Sequence, residues 1–275
     1  DHYTAANFTP LYDKSTLNWS NELSEEIIDI TKLPELKWST EIAGNITKKA
    51  SAETGLPIGI PVTVGTIDAA AEAISVGVRQ AGDMMVMYGS TMFFIGICEG
   101  NKSEKSLWSA PWLFKNEFAL MAGTSTSGTI TQWFKKEFAK DLDSEEALQV
   151  LSVMAEKSPI GSKNLITLPY FSGERTPIQD PNACGIIFGL NLTHKREDIY
   201  RSIIEGISYG ASHIIETFMR SEFIPKKLFA VGGGVKNKIW ASSISNISSL
   251  SQELKSKTIG ASYGNSFLAA LSLGD

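Results

Sequence analysis

An aspartate at the junction of a strand-like run and a helix-like run is placed for proton chemistry. Ile60-Pro61-Val62-Thr63-Val64-Gly65 is rich in β-branched residues and bounded by Gly and Pro, the pattern of a buried strand. Asp68-Ala69-Ala70-Ala71-Glu72-Ala73 then opens a helix. A carboxylate there faces the positive end of the helix dipole, which favours its ionised form. In that form it could take the proton of a hydroxyl. The ordinary use of Asp at such a place is to cap the helix, and Asp68 taken singly fits that use as well.

Three glycine-bearing turns could meet an anion. Gly89-Ser90-Thr91 could present N–H groups and hydroxyls to a phosphate, or could be a turn that needs Gly. Gly123-Thr124-Ser125-Thr126-Ser127-Gly128-Thr129 has the outline of a P-loop but holds Thr129 where the Lys belongs. Its Gly128 could still let a nucleotide lie against the backbone at a helix start. Gly232-Gly233-Gly234 follows a strand-like run and allows close approach of a flat or anionic ligand, or a tight turn into a helix. Lys236 and Asn237 occupy the later positions, so no dinucleotide fingerprint is completed. His194 and His213 lack neighbours at metal-ligand spacing. Trp108, Trp112 and Trp133 read as core or interface residues.

Strand and helix signals alternate around these turns, which argues for an α/β layer fold. Met84–Tyr88 and Met92–Ile97 are apolar runs joined by Gly89-Ser90-Thr91, a hairpin pattern. Residues 129–140 and Ser144–Glu156 read as helices, the second capped by Ser144 with Glu145 and Glu146 behind it. Leu165–Leu168 reads as a strand. Ile199, Ile203, Ile207, Ala211, Ile214 and Phe218 recur at helical spacing over 196–219. Lys227–Val231 reads as a strand, followed by a helix through Trp240, and Gly260–Leu273 reads as a small-residue helix. Upstream, residues 1–13 read as turn and strand, a helix is expected after Ser24, and Ile42–Thr54 as another helix. A domain boundary is expected near Arg79–Asp83.

Composition narrows the class. With 275 residues, 43% of them hydrophobic and 20% charged, the chain can bury a core and is not disordered. Thirty acidic against 25 basic residues give a net charge of −5 and no basic stripe, which disfavours nucleic acid as a partner. No apolar run reaches the length of a membrane span. The two cysteines, Cys98 and Cys184, lie far apart and fit a reducing, cytoplasmic compartment. The chain opens at Asp1-His2-Tyr3 and reads as a piece of a longer protein.

The order of the motifs is more specific than any one of them. Gly185-Ile186-Ile187-Phe188-Gly189-Leu190, followed after seven intervening residues by Asp198-Ile199 and then Ser202-Ile203-Ile204-Glu205, resembles the second signature of the FGGY carbohydrate kinases. Gly173-Glu174-Arg175-Thr176-Pro177 with Asp180-Pro181-Asn182-Ala183 is similar to that family too. So are Gly65-Thr66-Ile67-Asp68, Tyr88-Gly89-Ser90-Thr91, Gly128 to Gln132-Trp133, and Gly232-Gly233-Gly234 through Asn237 and Trp240. The resemblance covers nearly the whole chain and looks most like the xylulose-kinase-like branch.

The resemblance implies an actin-like (ribonuclease H-like) ATPase fold. Residues 1 to about 80 would be the tail of the first, sugar-binding domain, and residues 81–275 the second, nucleotide-binding domain. It implies phosphorylation of a sugar or polyol hydroxyl, such as that of a ketopentose, with ATP and Mg²⁺. Asp68 matches the catalytic base. Ser90 and Thr91 match the turn at the terminal phosphates, Gly128 and Gln132 nucleotide contacts, and Gly233 and Asn237 the adenosine side. No residue here matches a metal ligand. The family's amino-terminal region, with its first phosphate loop, has no counterpart, so the chain by itself is expected to have little kinase activity and weak ATP binding. Ala69 follows Asp68 where several branches carry a polar residue, and its methyl cannot bond a sugar hydroxyl. A homodimer stays open. The competing readings are an actin-like nucleotide-binding module that transfers no phosphate to sugar, and an α/β domain with a dinucleotide at the triple Gly.

Overall fold

The computed structural model describes residues 1–142, 146–256 and 259–274. The chain opens with α1 (His2–Phe8), β1 (Tyr12–Asp13), β2 (Asn18–Trp19), α2 (Asn21–Ser24), β3 (Ile42–Asn45), α3 (Lys48–Thr54), β4 (Pro61–Thr63) and α4 (Asp68–Ser75). It continues through β5 (Asp83–Tyr88), β6 (Met92–Glu99), β7 (Trp108–Pro111), β8 (Glu117–Gly123), α5 (Gly128–Phe138), α6 (Ala147–Ala155), β9 (Ile166–Leu168) and β10 (Ile186–Phe188). The last elements are α7 (Arg196–Arg220), β11 (Lys227–Val231), α8 (Lys238–Ser248), β12 (Gln252–Glu253) and α9 (Ala261–Ser272).

Six strands form one mixed sheet in the order β12-β11-β5-β6-β8-β7. β11 runs parallel to both β12 and β5, and the remaining pairs are antiparallel. Successive side chains of a strand point to opposite faces, and both faces here are apolar. Met84, Val86 and Tyr88 of β5, Phe94 of β6, Leu120 of β8 and Ala230 of β11 join the core shared with α5–α8. Met85, Ile95, Met121 and Phe229 join a second core with Tyr3 of α1, Ala70 and Ile74 of α4 and Leu268 of α9. The α/β layers expected from the alternation are therefore present, with the sheet buried on both sides. Each fully buried Ile or Leu in these layers contributes about 1.5–3 kcal/mol. α7 lays Ile203, Ile207, Ala211, Ile214 and Phe218 into the first core, as its periodicity predicts. At Gly206 a Cβ would stand 2.3 Å from the Thr167 carbonyl oxygen, so the missing side chain is what lets β9 lie on α7.

The expected hairpin of β5 and β6 forms, pairing Tyr88 with Met92 around Gly89-Ser90-Thr91. Four other expectations change. Residues 2–8 are helical because Asp1 caps them, its side chain accepting from the Thr4 amide. The helix near Ser24 precedes that residue: Ser20 is its cap and Ser24 its last residue. Ile42–Asn45 is a strand paired with β4, and helix begins only at Lys48. β4 is exposed, not buried, because it pairs only with β3 in a two-stranded sheet apart from the six-stranded one. The caps Ser144 and Glu145 lie outside the described residues, and α6 begins at Ala147. Trp112 is fully buried, whereas Trp108 and Trp133 are partly exposed. No helix of the described residues is long and apolar enough to cross a membrane.

Candidate active site

The β5–β6 turn, the start of α5 and the end of β11 meet around a cavity of about 660 Å³. Ser90, Gly128, Gln132, Gly233 and Asn237 line it together, with Tyr88, Tyr200 and Trp240 among the rest. A volume of that size suits a nucleotide.

The turn is held by the helix. The amides of Ser127 and Thr129 donate to the Ser90 carbonyl at 3.0 and 3.1 Å, and the Gly128 amide donates to the Gly89 carbonyl at 3.1 Å. The Ser127 hydroxyl adds a bond to the Gly89 carbonyl at 3.1 Å. The unsatisfied donors that open any helix are thus taken up by the hairpin. The Gly128 amide is thereby occupied, and its missing Cβ makes room for Gly89, whose oxygen would stand 2.5 Å away, while Gly128 itself still lines the cavity. The rest of the P-loop-like segment is also engaged internally. Thr124 Oγ1 accepts from the Met92 amide, the Thr126 hydroxyl donates to Pro169, and the Ser125 amide donates to Glu174.

In exchange, two of the turn's own amides are free, that of Gly89 being bonded to the Thr91 carbonyl. Among the described residues, the amides of Ser90 and Thr91 have no hydrogen-bond partner. Across the cavity, a Cβ on Gly232 or Gly234 would strike the Tyr88 carbonyl oxygen or Trp240, each at 2.6 Å, whereas a Cβ on Gly233 would meet nothing within 4 Å. Gly232 and Gly234 serve packing, and Gly233 alone leaves an open approach. Asn237 caps α8, its side chain accepting from the Trp240 amide at 3.2 Å.

Asp68 lines a second cavity, of about 720 Å³, with Tyr3, Lys14, Phe93, Trp108 and Arg175. The capping alternative does not hold, because Ile67 is the cap and Asp68 the first helical residue of α4. One carboxylate oxygen accepts from the Ala69 amide at 2.7 Å. Among the described residues the other has no partner. Burial, reinforced by the negative charge of Asp68, raises the Tyr3 phenol above its ordinary pKa. Burial and then the same charge raise Glu72. The two cavities lie along one hairpin, Ser90 facing the first and Phe93 the second. Thr91, at the bend between them, lines neither.

Acidic residues of the later motifs are structural, a role the sequence reading did not find. Glu174 is buried, and its carboxylate accepts from the amides of Ser125 and Arg175 at 2.8 and 2.7 Å. Burial pushes its pKa up even against those bonds. Asp198 is wholly buried and accepts from the Ser158 hydroxyl, the Lys163 ammonium and the Lys195 amide at 2.7–2.9 Å. Burial opposes its charge, but these donors outweigh it and hold its pKa below the ordinary carboxylate value. Glu205 ion-pairs with Arg201 at 2.8 Å and accepts from Ser162. Together Asp198 and Glu205 fasten residues 158–163 to α7. His194 closes its own loop, accepting from the Asn191 amide at 3.0 Å.

The described residues hold no group of three or more His, Cys, Asp or Glu able to bind a metal ion. Magnesium ordinarily binds through one or two carboxylates together with substrate phosphates. An ion carried on substrate phosphates therefore needs no carboxylate cluster from this chain.

The model of the C-terminal domain of the FGGY family of carbohydrate kinases matches residues 84–273, and that of its N-terminal domain matches residues 1–75. A xylulose kinase of Bacillus subtilis (strain 168) is 30% identical over 243 residues, which is 86% of this chain and 48% of that protein. The solved xylulose kinase of Rhodospirillum rubrum superposes with a TM-score of 0.89 at 26% identity, over 96% of this chain and 54% of its own. The gluconate kinase of Lactobacillus acidophilus gives a TM-score of 0.89 at 25% identity, over 99% and 55%. The chain spans about half the length of the relatives it matches. Its fold is the actin-like ATPase fold of the sugar kinases. By sequence and by fold, this chain belongs to the FGGY family of carbohydrate kinases.

Proposed function

We propose that this chain carries the nucleotide-binding half and the catalytic base of an ATP-dependent sugar kinase acting on a ketopentose such as xylulose. One observation carries the reading. A carboxylate with an unspent oxygen lines one cavity, and a turn with two unspent amides, at Ser90 and Thr91, brings Ser90 to the other along a single hairpin. In this reading the acceptor hydroxyl lies at Asp68, which takes its proton. The hydroxyl oxygen bonds to the terminal phosphorus of ATP, and the bond from that phosphorus to the departing ADP oxygen breaks with its electron pair. The amides of Ser90 and Thr91 hold the terminal phosphates, Gly233 admits the adenosine, and Gln132 and Asn237 border it. Gly128 acts by seating the turn. Such transfer depends on positioning and charge stabilisation more than on covalent chemistry. Magnesium bound with the nucleotide supplies charge neutralisation.

Residues 1 to about 80 belong, in this proposal, to the sugar-binding domain and the remainder to the nucleotide-binding domain. The two family-model matches, over 1–75 and 84–273, support that division. The xylulose kinase relatives support the ketopentose, and two free cysteines fit a cytoplasmic location. The test is a panel of ketoses and polyols assayed with ATP and the full-length protein. Phosphorylation of a ketopentose, coupled to ADP release, is expected. ADP release that no sugar stimulates would overturn the proposal in favour of an actin-like module, and this chain alone should show little turnover.

A further inference from the structure

The cavity that holds Asp68 also holds an arginine with no ion-pair partner. Arg175 lies on the segment after β9, next to the buried Glu174 that anchors its backbone. Nε and Nη2 of its guanidinium donate to the Thr124 carbonyl, the Nε bond at 3.1 Å. The group lies 5.8 Å from the Trp108 ring centroid. Among the described residues, Nη1 meets no acceptor; Arg175 and Asp68, although they line one cavity, form no ion pair with each other, and Arg175 feels the adjacent Glu174 carboxylate without a direct ion pair to it. Each is held back by its own neighbour, Arg175 by Thr124 and Asp68 by Ala69. Opposite charges kept apart in one cavity leave room for a group that needs both.

A hydroxyl gaining a phosphoryl group is such a group. Its proton goes to a carboxylate, and negative charge gathers on the phosphoryl oxygens beside it. Thr124, which holds Arg175, also bonds in both directions to Met92, at 2.9 and 3.0 Å, immediately after the Ser90-Thr91 turn. Arg175 is therefore two hydrogen bonds from the turn on one side and opens onto the Asp68 cavity on the other. We infer that Arg175 receives the transferred phosphoryl group, through the free edge of its guanidinium, and holds it in the sugar-phosphate product. A planar fork matches phosphate oxygens in a way an ammonium does not. This assignment rests on the kinase reading above and adds a second residue to the reacting centre.

The test is steady-state kinetics of the full-length enzyme with Arg175→Gln and Arg175→Lys. Arg175→Gln should lower kcat by about 10²–10³-fold, the scale for losing one donor aimed at developing charge. Affinity for ADP and for the unphosphorylated sugar should stay within about two-fold, since only phosphoryl contacts are lost. Product inhibition by the sugar phosphate should weaken by about ten-fold or more. Arg175→Lys should fall between, because it keeps the charge and loses the fork. If Arg175 merely braces Thr124, ADP and product affinities fall together, because the segment leading to Gly128 shifts. That result, or near-normal turnover in Arg175→Gln, overturns the inference. Should Arg175→Gln melt early, the lysine variant decides by the same comparison of ADP with product. Turnover that needs Asp68 but not Arg175 would sink this inference alone, whereas turnover indifferent to Asp68 would sink the kinase reading.

Discussion

Replacing Gly128 by Ala tests how the nucleotide turn is built. A methyl group there would stand 2.5 Å from the Gly89 carbonyl oxygen and 3.3 Å from its carbon. Ordinary contact begins near 3.4 Å, so turn and helix must part by about 0.9 Å, the difference between 3.4 and 2.5. Both partners are backbone, and neither can yield by changing rotamer. The amides of Ser127, Gly128 and Thr129 bond to the same turn and would lengthen with it. Alanine favours a helix by up to about 1 kcal/mol over glycine, but overpacking costs about 1–3 kcal/mol. The expected net loss is about 1–2 kcal/mol, or roughly 3–6 °C in Tm for a chain of this size. The functional loss should be larger, because the displaced turn carries the free amides of Ser90 and Thr91. A misplacement near 1 Å can cost about 10²-fold in rate. Thermal melting of the chain, with kcat of the full-length enzyme, reads both effects. A Gly128→Ala variant with unchanged Tm and unchanged turnover would refute the assignment of Gly128 to the helix–turn contact.

Two further substitutions probe separate parts of the account. Gly233→Ala meets nothing in the fold, so Tm should hold within about 1 kcal/mol of stability while ADP affinity, read by calorimetry, falls; unchanged affinity would remove Gly233 from the nucleotide site. Asp198 has a folded pKa below its ordinary value of 3.8, so its contribution is present above that value and is lost as pH falls through the lower folded pKa. Asp198→Asn should therefore flatten the acid limb of stability against pH, and Asp198→Ala should cost about 1–3 kcal/mol at neutral pH by leaving the buried Ser158 hydroxyl and the Lys195 amide without their acceptor; an unaltered acid limb would contradict the role given to that carboxylate.

How much of this was legible in the sequence depends on whether the physics is local. The β5–β6 hairpin and α7 could be read because their apolar periods are long and uninterrupted. β8 was not found: Phe118–Gly123 is apolar almost throughout, and a strand buried on both faces carries no alternation to tell it from a buried helix. β3 contains Gly44 and Asn45, poor strand formers, and is a strand because β4 pairs with it. Asp68 stands out in the sequence by its place between two elements, and the structure puts it at the start of α4 on a cavity wall. The engagement of Gly128 was not visible, because its contact comes from Gly89 on another element. The same holds for Asp198 and Glu205, whose partners at residues 158–163 are brought to them only by the folded chain. Family resemblance marked those positions without saying whether they serve chemistry or anchorage.

The measurement closest to the central claim is the turnover of full-length Asp68→Asn beside its affinity for ADP. The account predicts a fall in kcat of about 10²–10⁴-fold, the scale of a lost general base, with ADP bound as tightly as before. Turnover at the unsubstituted rate would contradict it.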